Sequence, residues 1–312
     1  MHIGTSSSLA LQEAIIVARE YVNDKKHNLK NKNFILELSD FLYINWYTKS
    51  QIKKKFEVFP HKNWGQIFNS IHEGRYEWEK GWKVLRVSNI GRIVVTRKDE
   101  ERMLYPGDYI SPDRLGILPS PGMMVEVVSS RTSLETQEGF WISYSSTWSR
   151  ISKDIIRIYW NVSPEGSIHL IKEITKHLNN SFPYSFKVPI DEIGYYRADT
   201  VVLYFTASDF QKIQVILKSI HKKIKPFLYP ETPAFTKVLE EGIGLAEEPL
   251  DNSESFGMNR CRLIAQGYTK ILEKGLDIMS DVDIAMQKYL ADEGVNLLYP
   301  YLNKGSTDTY AW

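Results

Sequence analysis

Residues 155–162 read Ile155-Ile156-Arg157-Ile158-Tyr159-Trp160-Asn161-Val162, and Ser163-Pro164-Glu165-Gly166 follows at once. The first eight residues have the β-branched and aromatic content of a strand, with Arg157 and Tyr159 on one face and the isoleucines on the other. Serine then proline is the signature of a helix start, which predicts a helix over 164–179. Downstream the chain keeps alternating: a short strand at 185–188, a strand at 199–205 and a helix at 208–225 with Ser208 as its expected cap. A strand near 235–246 and helices at about 255–273 and 276–291 complete the series. These elements predict an α+β fold.

Upstream the periods differ. From residue 9 to about 80 the apolar spacing is mostly helical, with Leu11, Ile15, Ala18 and Val22 on one stripe, then Phe34, Leu38, Leu42 and Trp46, and a further run from Trp64 to Trp78. This region is expected to form a helical cap. From 82 to 146 the pattern becomes strand-like: Trp82 to Ser88, a turn through Asn89 and Gly91, Arg92 to Thr96, then 123–128 and 140–145. A small antiparallel sheet is expected there. The division is therefore 1–150, helices plus hairpins, and 151–312, a mixed α/β region.

Composition narrows the function classes. The 312 residues are 43% hydrophobic and 25% charged, as in globular proteins, with a formal net charge of +1. That balance argues against a general nucleic-acid binder. Cys261 is the single cysteine, so no intramolecular disulfide framework exists, and no Cys/His spacing reads as a zinc site. The start lacks a secretory signal and no apolar run is long enough for a membrane span, which points to the cytoplasm. His169 and His177, eight residues apart on the expected helix, lack a third ligand and read as surface residues. His221, ahead of Lys222 and Lys223, reads as a helix-end residue that complements the dipole.

The stretch Ser255-Phe256-Gly257-Met258-Asn259-Arg260-Cys261-Arg262 sets two arginines where a helix begins. Helix starts offer free N–H groups and guanidinium forks grip anionic oxygens, so a phosphate site is one reading and a solvated basic face the other. On a helix the two arginines point about 200° apart, so Arg260, nearer the start, is the stronger candidate.

The segments RIYWNVSPEG at 157–166, SFKVP at 185–189, YYRADTVVLYF at 195–205 and PAFTKVLEEGIGLAEEP at 233–249 precede SFGMNRCRL. In this order they resemble the HopA effector family, first known from type III secreted proteins of plant pathogens. The likeness is strong over roughly residues 150–270 and weaker over GWKVLRVSNIGRIVV, LYPGDYI and Gly139-Phe140-Trp141. The same domain occurs beside kinase-like proteins in lanthipeptide and thioamitide-type pathways, where it resembles a lyase that removes phosphate from phosphoserine or phosphothreonine. The resemblance implies a cofactor-free, metal-independent lyase-like C-terminal region, a phosphorylated precursor peptide as substrate and a kinase-like partner. The N-terminal part is then expected to bind peptide. A non-catalytic effector or phosphate-recognising module is the alternative.

Such an elimination needs a base for the α proton, cations for the phosphate and stabilisation of charge on the adjacent carbonyl. By likeness to the aromatic-lysine-valine segment of enteric phosphothreonine lyases, Lys187 is the expected base. Arg157, Arg197, Arg260 and Arg262 are the expected phosphate ligands, with Lys237 as a fifth cation on family grounds. Each also has a plainer reading, as an edge-strand lysine, a solvated sheet face, or an arginine paired with Asp199. The enteric enzymes carry lysine-x-histidine where Arg157-Ile158-Tyr159 stands here, so Tyr159 is the candidate general acid, with Tyr204 second. Ser255 and Asn259 are expected in support, and a carboxylate at Glu247 or Glu248 is placed to orient an arginine.

Overall fold

Ile156, Ile158 and Trp160 have no exposed surface and sit on an interior strand of a seven-stranded sheet. The computed structural model describes residues 7–24, 33–50, 54, 63–111, 118–145, 147–148, 154–251, 254–275 and 282–312. Helices α1 (Ser7–Asp24) and α2 (Phe34–Leu42), a π-helical turn (Tyr43–Tyr47) and α3 (Trp64–Ile71) come first. Strands β1 (Tyr76–Val87), β2 (Ile93–Arg97), β3 (Glu100–Leu104), β4 (Tyr109–Ile110) and β5 (Met124–Ser130) form an antiparallel sheet in the order β3-β2-β1-β5-β4.

Next come β6 (Thr132–Ser133), β7 (Phe140–Tyr144), β8 (Ile155–Trp160), α4 (Pro164–Leu178), β9 (Ser185–Pro189), β10 (Val201–Thr206) and α5 (Phe210–Ile224). The chain ends with β11 (Lys237–Glu240), β12 (Ile243–Glu247), α6 (Phe256–Glu273) and α7 (Val282–Asp292). The larger sheet is also antiparallel, ordered β11-β12-β8-β10-β9-β7-β6. The α+β expectation holds.

Local chemistry explains the helix starts. The Ser163 hydroxyl accepts from the Gly166 N–H at 3.1 Å, with Pro164 in the first turn. Ser208 is not the cap of α5 as expected; Asp209 takes that position, and its carboxylate accepts from the Thr206 hydroxyl at 2.7 Å. Leu170, Ile171, Ile174 and Leu178 of α4 and Ile213, Leu217, Ile220 and Ile224 of α5 recur at helical spacing and are buried with the isoleucines of β8 in one core. Each such side chain contributes roughly 1.5–3 kcal/mol. His221 of α5 is 6% exposed, and burial lowers its pKa, so the cationic complement to the helix end comes from Lys222 and Lys223.

Other expectations change. The helical spacing ends at Ile71, and Trp78 lies in β1, because Tyr76-Glu77-Trp78-Glu79 alternates with period two and pairs with residues 127–130. Phe140 to Tyr144, expected in the small sheet, instead pairs with β9 in the large one, and Trp141 is fully buried against Phe68 and His72. Residues 235–246 form two strands, turned at Gly242. Its φ is +74°, and a Cβ there would stand 2.5 Å from the Tyr229 carbonyl oxygen, so only glycine fits. The expected helix start at 276–281 lies outside the described residues.

Two cores result. Trp82, Val84, Ile93, Val95, Leu104, Val125 and Val127 fill the small sheet, where the Arg97 and Arg102 guanidinium groups each stand 4.5 Å from the Trp82 ring centroid. The larger core draws residues from both sides of position 150, from Leu11 to Tyr310. Cys261 is fully buried within it. Among the described residues no helix is long and apolar enough to cross a membrane.

Candidate functional site

Strand register decides which candidates meet. Gly244, Tyr159, Val202, Lys187 and Ile142 stand opposite one another across β12, β8, β10, β9 and β7. Ala246, Arg157, Tyr204, Ser185 and Tyr144 form the adjacent row on the same face, two residues along each strand. Lys187, Tyr159, Arg157 and Tyr204 therefore share one face of the sheet. Lys187 and Tyr159 are separated by two strand spacings, about 10 Å.

Lys187 is not on an edge, since β9 lies between β10 and β7. Its side chain is half-buried, with Nζ 4.5 Å from the Phe140 ring centroid. Among the described residues no carboxylate lies within ion-pair distance of it. The edge-strand reading of this lysine therefore fails.

Arg157 is 6% exposed and gives a two-pronged ion pair to the Glu248 carboxylate, with its guanidinium 5.2 Å from the Tyr204 ring centroid. Burial opposes its charge, but the paired Glu248 carboxylate offsets that, and the group stays cationic. The Tyr159 hydroxyl is buried beside Arg157 without a well-formed hydrogen bond, and burial pushes its pKa up. It is a neutral phenol with its proton available.

Arg197 precedes β10 and forks onto both oxygens of Asp199 at 2.8 Å, with a further bond to the Tyr43 hydroxyl at 2.8 Å. The sequence reading of an Arg197–Asp199 pair holds. Tyr47, in the same π-helical turn, is fully buried and feels the charges of Asp199 and Arg157, which links this cluster to the sheet face. Ser255 caps α6 through the Met258 N–H at 3.3 Å.

The other cations are committed to other partners, although Arg260 stands close enough to Tyr159 and Tyr47 to interact with them electrostatically. Arg260 is 5% exposed and donates to the Pro300 and Leu302 carbonyls at 2.9 and 3.0 Å and to Asn259 Oδ1 at 2.5 Å; burial lowers its pKa to about 10. Arg262 points away from it, onto Glu254 at 2.6 Å and Gln266 at 3.0 Å, beside a hollow of about 320 Å³ lined by Ile35, Leu36 and Met258. Asn259 also donates to Glu254, at 2.9 Å. Lys237 aligns with Leu245, Ile158, Leu203 and Phe186, which puts it on the opposite face from Lys187. There it meets both Asp308 oxygens at 2.6 and 2.8 Å and the Tyr310 carbonyl at 2.8 Å.

Sequence reading missed Lys54. Its ammonium is buried and donates to Asn161 Oδ1 at 2.6 Å and to the Tyr195 and Arg197 carbonyls at 2.8 and 2.5 Å; burial lowers its pKa to about 8. A lone lysine in a basic run carries no signal of this. Among the described residues no group of three or more metal-binding side chains exists. His169 stacks on Phe227 and His177 faces Glu173 at 3.3 Å, so neither has a common target.

No curated protein matches the sequence. Two solved structures share the fold: the effector protein from Pseudomonas syringae pv. tomato strain DC3000, at 13% identity and a TM-score of 0.58, and that from Pseudomonas syringae pv. syringae strain 61, at 14% and 0.56. Each likeness covers 96% of this chain and 100% of the other. The family model described as the HopA1 effector protein family matches residues 132–302, from β6 through the turn after α7, and takes in every residue named on the Lys187 face. The chain belongs to the HopA1 effector protein family.

Proposed function

We propose that the chain is a phosphoserine/phosphothreonine lyase acting on a ribosomally made precursor peptide. The observation that supports this is the shared face of Lys187, Tyr159, Arg157 and Tyr204, with an interior, half-buried lysine that has no carboxylate partner among the described residues. Lys187 takes the α proton, the electron pair forms the Cα=Cβ bond, and the Cβ–O bond breaks with phosphate as leaving group. Dehydroalanine or dehydrobutyrine remains. Arg157, held by Glu248, and Arg197, held by Asp199, balance the leaving charge, and a Tyr159 or Tyr204 hydroxyl supplies a proton. A kinase-like partner in the cytoplasm supplies the phosphopeptide, and the small sheet takes up its leader along an outer strand, β3 or β4.

The test is the mass of phosphoserine and phosphothreonine peptides after incubation with the purified protein. Loss of phosphoric acid, abolished by Lys187→Met, is the expected result. Loss of the phosphoryl group alone, with the hydroxyl regained, would mean phosphatase chemistry and sink the mechanism.

A second reading, a phosphate-recognising effector module without chemistry, is favoured by one specific observation. Arg157, Arg197, Arg262 and Lys237 each already face a carboxylate, which an incoming phosphate must displace or join. Binding of phosphopeptide without any mass change, even with the kinase partner present, would select it.

A further inference from the structure

Glu247 ends β12, Glu248 follows it, and the two serve opposite faces of the sheet. Glu248 takes the Arg157 guanidinium on the Lys187 face. Glu247 stands in register with Ile156 on the other face, where its carboxylate accepts from the Tyr310 hydroxyl at 2.8 Å and the Asn303 N–H at 2.6 Å. The Asn303 side-chain amide then donates to the Glu248 main-chain carbonyl at 2.7 Å, and the Glu247 N–H donates to the Tyr301 carbonyl at 2.8 Å. The contacts to Glu247 from Tyr301, Asn303 and Tyr310, and the Asn303 amide on Glu248, all come from the segment 300–310. Lys237 of β11 and Arg260 of α6 fasten the same segment through Asp308 and through the Pro300 and Leu302 carbonyls.

We propose that this C-terminal strap aims Arg157, with Asn303 and Tyr310 as positioning residues that fix the Glu247–Glu248 corner and hence the Glu248 carboxylate. Asn303 and Tyr310 lie beyond the family match, which ends at 302, whereas Arg157 and Glu248 lie within it. Lys237 and Arg260 acquire a role that needs no phosphate: they anchor the strap. The consequence for chemistry rests on the lyase reading, but the positioning itself does not.

The test is a double-mutant cycle of Arg157→Met and Glu248→Gln, read by urea unfolding, in the native background and in Tyr310→Phe and Asn303→Leu backgrounds. Native coupling is expected on the order of tenfold in the unfolding equilibrium constant. In the strap variants it falls to about threefold or less, within the same range. Coupling of the remote Arg131–Glu77 pair, which the strap does not touch, stays unchanged. Tyr310→Phe deletes one oxygen and carries the test should Asn303→Leu not fold. Equal Arg157–Glu248 coupling in all backgrounds overturns the proposal, as does an equal fall in both pairs, which would mean general loosening. Peptide mass, measured separately, judges the lyase reading whichever way the cycle falls.

Discussion

Tyr47 lies so close to Gly257 that a Cβ at 257 would stand 2.1 Å from its ring. The ring has nowhere to go, because it is buried between Tyr43 at 5.5 Å and Phe235 at 5.9 Å, centroid to centroid. Alanine would favour the α6 helix by about 1 kcal/mol. Overpacking costs roughly 1–3 kcal/mol and here meets a pinned aromatic. Gly257→Ala is expected to be net destabilising in urea unfolding; a gain in stability would mean that the π-helical turn slides off the helix at little cost.

Lys187→Met separates chemistry from folding. Its aliphatic stem keeps the packing on Phe140, and β9 stays interior, so stability should change by under about 1 kcal/mol. Loss of phosphoric acid from the peptide should vanish while phosphopeptide affinity stays within a few-fold. Retained elimination would transfer the base to another residue.

His72 sets an acid limit. Burial, aided by Arg131, lowers its pKa from 6.5 to about 4, and its Nε2 meets the buried Ser143 hydroxyl at 2.8 Å. The unfolded chain then binds a proton that the fold refuses between these values, so stability is whole above pH 6.5 and falls as pH drops through 4. In His72→Gln that slope should flatten. Identical pH profiles from unfolding at pH 4 to 7 would remove His72 as the cause.

Lys54→Met should cost about 3 kcal/mol, since it strips donors from three buried oxygens at roughly 1–3 kcal/mol each, partly repaired by water. Hydrogen exchange should quicken first at the Ala198 amide, which bonds the Thr48 carbonyl at 3.1 Å beside this contact. Unchanged exchange there would show that Lys54 does not hold the Arg197 loop.

Much of the architecture was present in local pattern. Alternation at Ile156-Arg157-Ile158-Tyr159 separated two faces of a strand, and Ser163-Pro164 and Ser255 marked helix starts that the structure keeps. The 200° offset of Arg260 and Arg262 was also legible, because helix geometry alone sets it. Ser208 misled because a neighbouring Thr206–Asp209 bond competes for the same turn.

What the sequence by itself determined was therefore the kind and order of the elements and which side chains share a face within one of them. Only the tertiary structure decided which faces meet. Lys187 and Lys237 differ in face because three intervening strands, β12, β8 and β10, set their relative register, and strand pairing across such distances has no short-range code. Two of the carboxylates that hold the cations come from far along the chain, Glu248 to Arg157 and Asp308 to Lys237, as do the carbonyls on Lys54. Burying a charge is costly unless it is paired, so the fold had to bring those partners together, and no local pattern records where they would come from.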